Sequence, residues 1–163
     1  MNIFVLDQDP AMAAEYNCDK HIVKMVLELF QQLGSAVIRN GATSDMMPLT
    51  SKGTPLKGGY HNHPCTKWCG DTRENFKWAY QHALELCNQY TIRYDKTHSC
   101  QRGIEQLSTM DAIIPSSNLT PFAQAMPDQY KDQDAVKAYR SYYLGEKRAF
   151  AKWKLGNIPS WWI

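Results

Sequence analysis

Residues 18–33 carry a helical pattern of apolar and polar positions. On a helical wheel at about 100° per residue, one set of polar side chains forms a seam that spans about 120° of arc. This polar seam consists of Asn17, Lys20, His21, Lys24, Glu28, Gln31 and Gln32. The rest of the circumference is apolar: Ile22, Val23, Met25, Val26, Leu27, Leu29, Phe30 and Leu33. A helix this apolar is expected to pack on more than one side, so the seam either faces solvent or lines a cleft.

Capping and turn residues predict the elements that flank this helix. A β-branched and aromatic run over residues 2–6 is typical of a short buried strand. Asp9 and Pro10 favour the start of a first helix, since Asp is a good N-cap and Pro suits the first helical position. Asp19 is a candidate cap for the seam helix, and the pair Asn40-Gly41 predicts its end.

The remaining elements are also helical. A short helical turn is expected after Pro64, and Asp71 and Glu74 suggest a capping box for a long helix over about residues 72–94. Further helices are predicted from His98 to about residue 112 and from residue 133 to about residue 154. The fold class is therefore mainly α: a single compact helical domain over residues 1–163, with one or two short N-terminal strands.

Residues 41–60 are rich in Gly, Pro, Ser and Thr and show no periodicity. This composition predicts a loop, which we expect to be mobile and to carry Lys52 and Lys57 over a site. The chain shows no internal repeat and no domain linker.

Composition narrows the class of protein. The 163 residues are 44% hydrophobic and 21% charged, as in a globular protein with its own core. The formal net charge is only +2, so nucleic-acid binding would need a local basic patch. The chain start lacks the pattern of a secretory signal, and no apolar run is long enough to span a bilayer. With five Cys, an odd number, we expect reduced thiols, a cytoplasmic location and no membrane partner.

The polar seam holds groups that can carry chemistry. Lys24 and Glu28 are spaced (i, i+4), and Lys20 lies one turn before Lys24. Repulsion between the two lysines, together with partial burial, would favour a neutral amine that can attack a sugar C1′. In this interpretation Lys24 is the nucleophile, Glu28 the carboxylate and His21 a proton shuttle. The same residues also fit an ordinary salt-bridged surface, and the sequence does not separate the two.

Two later helices offer candidates for binding DNA or a nucleotide. On the long helix, Trp78 lies on the polar side with Asn75 and either covers an edge of the core or stacks on a base. Arg93 and Lys96 would lie near phosphates. The last helix has an aromatic ridge formed by Tyr139, Tyr142, Tyr143, Phe150 and Trp153. Basic residues flank the ridge, and Arg140 and Lys147 among them are candidate phosphate ligands.

Histidines and cysteines cluster around residues 61–69. With Cys18 and His21 they would supply enough ligands for zinc, but their spacing matches neither a zinc finger nor a zinc ribbon. We therefore predict no metal and no cofactor, and interpret His63 and His98 as polar groups of the cleft.

Six segments spread over nearly the full length resemble one known family: MNIFVLDQDPAMAAEYNCDKHIVKMVLE, HPCTKW, QYTIRYDKTH, TPFAQAMPDQY, AYRSYYLGEKRAFAKW and PSWW. The family consists of small tailed-phage proteins, some of them labelled pyrimidine dimer DNA glycosylase. The resemblance implies a phage protein that acts on DNA bases in the host cytoplasm. The well-understood phage dimer glycosylase uses the α-amine exposed when Met is removed before a small residue. Here Asn2 is bulky, so Met1 is expected to stay, and Lys24 or a water must substitute.

Three hypotheses follow. The first is an enzyme acting on DNA bases or nucleotides, most concretely a base-excision DNA glycosylase/lyase with a cationic cleft. The second is a non-catalytic phage protein that binds nucleotides or nucleic acid and sequesters a host defence signal. The third is an inhibitor of a host protein, which predicts an exposed Trp161-Trp162 pair at the interface. The oligomeric state is left open.

Overall fold

Six α-helices dominate the computed structural model, which describes residues 2–163. They are α1 (Pro10–Glu15), α2 (Asp19–Arg39), α3 (Pro64–Asp71), α4 (Arg73–Tyr94), α5 (Gln101–Ser108) and α6 (Ala135–Glu146). Short 3₁₀ turns occupy Ser44–Met46, Asp111–Ile113 and Asp128–Tyr130. The mainly α fold class is confirmed. None of these helices is long and apolar enough to cross a membrane.

The two long helices form the centre of the structure. α2 packs against α3, α4 and α5, and α1 packs against α4. Ile22, Leu29 and Leu33 of α2 and Phe76 of α4 are at most 1% exposed, so they belong to one hydrophobic core. The expectation that α2 is packed on more than one side is confirmed.

Side-chain caps explain where several helices begin. Asp9 Oδ1 accepts hydrogen bonds from the backbone N–H groups of Ala11 and Met12, at 2.8 and 3.0 Å. The cap of α4 is Thr72, not Asp71, because the Thr72 hydroxyl accepts from the N–H of Asn75 at 3.1 Å. Asp19 is likewise the first residue of α2 rather than its cap.

The N-terminal segment 2–6 is buried but forms no strand. Ile3, Phe4, Val5 and Leu6 are all at most 4% exposed, since the segment runs between α6 and the α2–α3 side of the core. The predicted strand was wrong because the segment's polar groups bond to side chains and loops, such as Arg140 Nε to the Leu6 carbonyl at 2.8 Å. Within residues 2–163, strand-like pairing is limited to one bridge between Leu49 and Pro55.

The loop after α2 is tied to the helix at two points. Leu56 is buried against Gly34, and the Ser35 hydroxyl exchanges hydrogen bonds with Gly59 N and Gly59 O at 2.8 and 2.7 Å. The end of α2 is as predicted, with Asn40 as the C-cap and Gly41 at a φ of 106°.

The last two predicted helices are shorter than expected. α5 ends at Ser108, before the 3₁₀ turn Asp111–Ile113, and α6 ends at Glu146. Beyond α6 the chain folds back over α1 and the start of α2. Trp153 Nε1 donates to the Tyr16 carbonyl at 3.2 Å, and the N–H of Lys154 donates to Asp19 Oδ2 at 2.8 Å.

Candidate functional site

The polar seam of α2 is divided between surface and interior. Lys20 and Lys24 are exposed, whereas His21, Glu28 and Gln32 are 5%, 7% and 0% exposed. Two residues assigned to the apolar side, Val23 and Leu27, are instead exposed at 43% and 48%. The exposed stripe of the helix is thus Lys20, Val23, Lys24 and Leu27, with buried polar side chains along one edge. Buried polar groups beside an accessible surface are typical of a site.

Glu28 and Lys24 form a pair with unequal access to solvent. Glu28 Oε1 lies 3.7 Å from Lys24 Nζ, and the two side chains are 9% and 63% exposed. The partial burial expected for Lys24 is therefore not seen. Glu28 also lies near His63, whose pKa is lowered by burial while the Glu28 carboxylate acts in the opposite direction.

His21 is held by aromatic side chains. Its Nδ1 lies 2.6 Å from Tyr143 Oη, its ring stacks on Phe4 at 4.4 Å between centroids, and Phe150 meets it edge-on. Burial lowers the pKa of His21 to about 3, helped by the charges of Lys147 and Lys24. The ring is therefore neutral at pH 7 and acts as a fixed hydrogen-bonding group. The predicted role of proton shuttle does not fit this pKa.

Three lysines lie near His21. Lys147, just after α6, lies with its Nζ 4.4 Å from the centroid of the Tyr142 ring and 3.4 Å from Tyr142 Oη. Lys20 Nζ lies 4.6 Å from the centroid of the Phe150 ring. These residues and Lys24 are close enough to lower the pKa of His21. We call Lys20, Lys24 and Lys147 the lysine cluster; it creates the local positive charge that the net charge of +2 does not reveal.

The first part of the chain, residues 1–102, matches the model of a family described as pyrimidine dimer DNA glycosylase. The chain belongs to this family. The match includes α2 with Glu28 and two of the lysines, whereas Lys147 and Tyr143 lie beyond it. No curated protein and no solved structure matches the chain.

Trp78 and Asn75 lie in the interior of this glycosylase-family fold, not at its surface. Trp78 is 5% exposed, donates from Nε1 to the Gln8 carbonyl at 2.9 Å and stacks on His82. Asn75 donates to the Trp68 carbonyl at 2.9 Å and to the Thr120 hydroxyl at 2.7 Å. The predicted stacking of Trp78 on an extruded base is wrong, because its ring faces are covered by protein.

Arg93 is a buried structural residue. Its side chain is 0% exposed and donates to the Asn17 and Glu15 carbonyls, both at 2.8 Å, and to Asp19 Oδ1 at 3.1 Å. It thereby joins the end of α4 to the segment between α1 and α2. A phosphate cannot reach this guanidinium, so the predicted phosphate contact is wrong.

The other predicted ligands lie apart from the lysine cluster or have local partners. Arg140 donates to the Leu6 carbonyl and to Asp7 Oδ2, at 2.8 and 3.2 Å. His63 Nδ1 accepts from the N–H of Cys65 and caps α3, and His98 Nδ1 accepts from the N–H of Cys100, each at 3.1 Å. Lys96 is exposed beyond the end of α4.

The cysteines and the C-terminal tryptophans have structural surroundings. All five Cys are buried and free, and residues 2–163 contain no group of three or more His, Cys, Asp or Glu placed to hold a metal. Trp161 and Trp162 are half-buried and pack on Tyr16, Tyr143 and Trp153. The exposed pair that a host-protein inhibitor would present is therefore not found.

Phe4, Tyr142 and Tyr143 belong to the site, but the sequence pattern did not single them out as site residues. Tyr143 is 0% exposed and reaches His21 across a separation of 122 residues. Periodicity placed Tyr143 on the aromatic ridge of the last helix, but no local signal connects that ridge to His21.

Proposed function

We propose that the chain is a base-excision DNA glycosylase/lyase whose chemistry takes place at Lys24 and Glu28. The observation that carries the proposal is the buried Glu28 carboxylate 3.7 Å from an exposed amine, at the rim of the lysine cluster. Membership of the pyrimidine dimer DNA glycosylase family supports DNA as the substrate. The exposed stripe of α2 is the part of this site that a DNA strand can reach.

Lys24 and Glu28 have different roles in displacing the base. Glu28 takes a proton from the Lys24 ammonium, and the neutral amine forms a bond to the sugar C1′. The glycosidic bond breaks, its electron pair goes to the base, and the proton held by Glu28 goes to the departing base. Glu28 is then ionised again and stabilises the positive charge on the nitrogen that is now bonded to C1′. A proton passes from this nitrogen to the ring oxygen O4′, and the C1′–O4′ bond breaks with its electron pair left on O4′. The nitrogen lone pair then forms the C1′=N iminium between DNA and Lys24.

The rest of the cluster holds the substrate. Lys20 and Lys147, like Lys24, lie close enough to His21 to lower its pKa, and we assign to them contacts with the phosphates that flank the reacting sugar. Because such contacts release counterions, DNA binding is expected to weaken steeply with salt. His21 is neutral and held by its hydrogen bond with Tyr143, so it adds no charge to the cluster.

Borohydride trapping tests the proposal. The protein is mixed with duplexes that carry an abasic site or ultraviolet photoproducts, borohydride is added, and the adduct is located by peptide mass spectrometry. We expect an adduct on Lys24 that is absent from Lys24→Ala and retained by Lys96→Ala, which removes an exposed lysine outside the cluster. Glu28→Gln is expected to bind DNA with wild-type affinity and to lose at least about 10²-fold in rate.

The other outcomes are equally informative. An adduct on the N-terminal amine would support the glycosylase/lyase activity but would show that this amine, and not Lys24, is the nucleophile. DNA binding without turnover, unchanged in Glu28→Gln, would favour the non-catalytic binder. Absence of DNA binding would reject the proposed function.

A further inference from the structure

A cavity of about 220 Å³ lies between the end of α2 and the start of α3. Its polar lining comes from Ser35, Arg39, His61, Asn62, Thr66 and Lys67. We propose that this cavity binds a single phosphate group, and that in the DNA complex the group is a backbone phosphodiester of the substrate strand. The assignment of this group to the DNA backbone rests on the proposed function, whereas the binding of a phosphate group by the cavity does not.

The charge of the lining favours an anion. Arg39 and Lys67 are cationic, and no acidic side chain is among the residues that line the cavity. Arg39 Nη2 pairs with Asp71 Oδ1 at 2.8 Å, and Nη1 donates to the Lys67 carbonyl at 3.1 Å. Within residues 2–163 these bonds use two of the five guanidinium N–H groups, so the others are available to a ligand. A guanidinium held in place in this way suits the fixed geometry of a phosphate.

The buried hydroxyl of Thr66 also favours a ligand in this cavity. Thr66 lines the cavity and is 3% exposed, and its Oγ1 has no hydrogen-bond partner in the described part of the chain. A buried polar atom without a partner is unfavourable, so a change of the Thr66 rotamer that brings this enclosed hydroxyl to a phosphate oxygen in the cavity would be favourable. Because Ser35 ties Gly59 to α2, the wall of the cavity is formed before any ligand binds.

The position of the cavity fits a phosphate near the reacting sugar. Ser35 and Arg39 follow Glu28 by seven and eleven residues, which places all three on one face of α2. With a rise of about 1.5 Å per residue, the cavity begins about 10 Å from Glu28 along the helix axis. Lys24 precedes Ser35 by eleven residues, which is about 16 Å along the axis, so a strand that presents its sugar to Lys24 and Glu28 can place a phosphate farther along its backbone in the cavity.

The salt dependence of DNA binding tests the site, with Arg39→Gln and Asp71→Asn as a matched pair. Both variants break the same surface ion pair, but only the first removes the cation from the cavity. We expect Arg39→Gln to weaken duplex binding about tenfold and to reduce the slope of log K against log salt by about 1. Asp71→Asn is expected to bind as tightly as wild type or more tightly. Equal weakening in both variants, with unchanged slopes, would reduce Arg39 to a structural role and overturn the proposal.

Thr66→Val removes the hydroxyl at nearly constant volume. We expect this variant to bind duplex about threefold more weakly with an unchanged salt slope, because the lost group is neutral, and Thr66→Ser to restore the affinity. Wild-type affinity in Thr66→Val would contradict the role given to the hydroxyl.

Titration with inorganic phosphate separates this proposal from the proposed function. At constant ionic strength, the Arg39 Nε–H resonance in ¹H–¹⁵N spectra is expected to shift and saturate, whether or not the protein cleaves DNA. An unmoved resonance would overturn the phosphate site even if borohydride trapping succeeds. Tighter binding of a deoxynucleoside 5′-monophosphate than of duplex would overturn the DNA-backbone assignment.

Discussion

Replacing Arg93 with alanine is expected to destabilise the fold without changing DNA binding by the folded protein. The guanidinium is fully buried and donates to two backbone carbonyls and to Asp19, so its loss leaves acceptors without donors in the interior. It also leaves the Asp19 carboxylate, 15% exposed, without its cation. Both effects act on the joint between α1, α2 and α4, where the guanidinium is out of reach of DNA although Asp19 directly precedes Lys20 of the exposed stripe.

The size of the effect follows from the environment of Arg93. Removing one partner of a buried ion pair costs about 3–5 kcal/mol, and each hydrogen bond to a charged group contributes about 1.5–3 kcal/mol, though not additively. A loss of about 4 kcal/mol is therefore expected in the free energy of unfolding. For a protein of this size that corresponds to a fall in Tm of about 8–16 °C.

Urea unfolding followed by circular dichroism measures the stability, and fluorescence anisotropy with a labelled duplex measures binding at a temperature where both proteins are folded. Lys96→Ala is the control, and its stability should lie within about 0.5 kcal/mol of wild type because Lys96 is exposed. A stable Arg93→Ala protein with weaker, less salt-dependent DNA binding would refute the structural role given to Arg93.

Two further predictions concern the core. Burial lowers the pKa values of His21 and His82 to about 3 and about 4, so the unfolded chain binds these protons first as the pH falls. Stability should therefore decline below about pH 6.5, by about 1.4 kcal/mol per pH unit for each of these two histidines. In urea unfolding at several pH values, His82→Asn should reduce the slope by about this amount; a flat profile between about pH 6.5 and about pH 4.5 would contradict the assignment. Gly103→Ala on α5 would press a Cβ into the Phe30 ring, so we expect a loss of about 1–3 kcal/mol against about 0.5 kcal/mol or less for the exposed Arg102→Ala; equal stability of the two variants would show that the ring moves aside.

The sequence pattern predicted the elements whose boundaries depend on nearby residues. Asp9 caps α1 through N–H groups two and three residues away, and the end of α2 at Asn40 depends on the next residue, Gly41. The strand predicted for the N-terminal segment was wrong because a strand and an irregular buried segment differ only in hydrogen-bond partners that lie far away in the sequence. Residues 2–6 have the composition of a strand, but the Leu6 carbonyl bonds to a guanidinium 134 residues away.

The difference between nearby and distant partners also separates Arg93 from Lys147. Arg93 and Lys147 both looked like phosphate ligands, since each is a cation near an aromatic run. The partners of Arg93 are carbonyls 76 and 78 residues away in sequence, and these decide that it is buried. Lys147 follows α6 and lies near enough to His21 to lower its pKa, since α6 packs through Tyr143 on Phe4, which stacks on His21. No local pattern contains either contact.

Glu28 and Lys24 show what the structure adds to a spacing that the sequence already revealed. A solvated (i, i+4) pair exposes both side chains and contributes only about 0.3–0.5 kcal/mol. Here the carboxylate is 9% exposed and the amine 63%, although they lie on one turn of one helix. A nucleophile must be reached by its substrate, whereas a base acts most strongly when water is kept from it. The unequal exposure of the pair therefore matches the division of roles proposed for them, and stability alone does not require it.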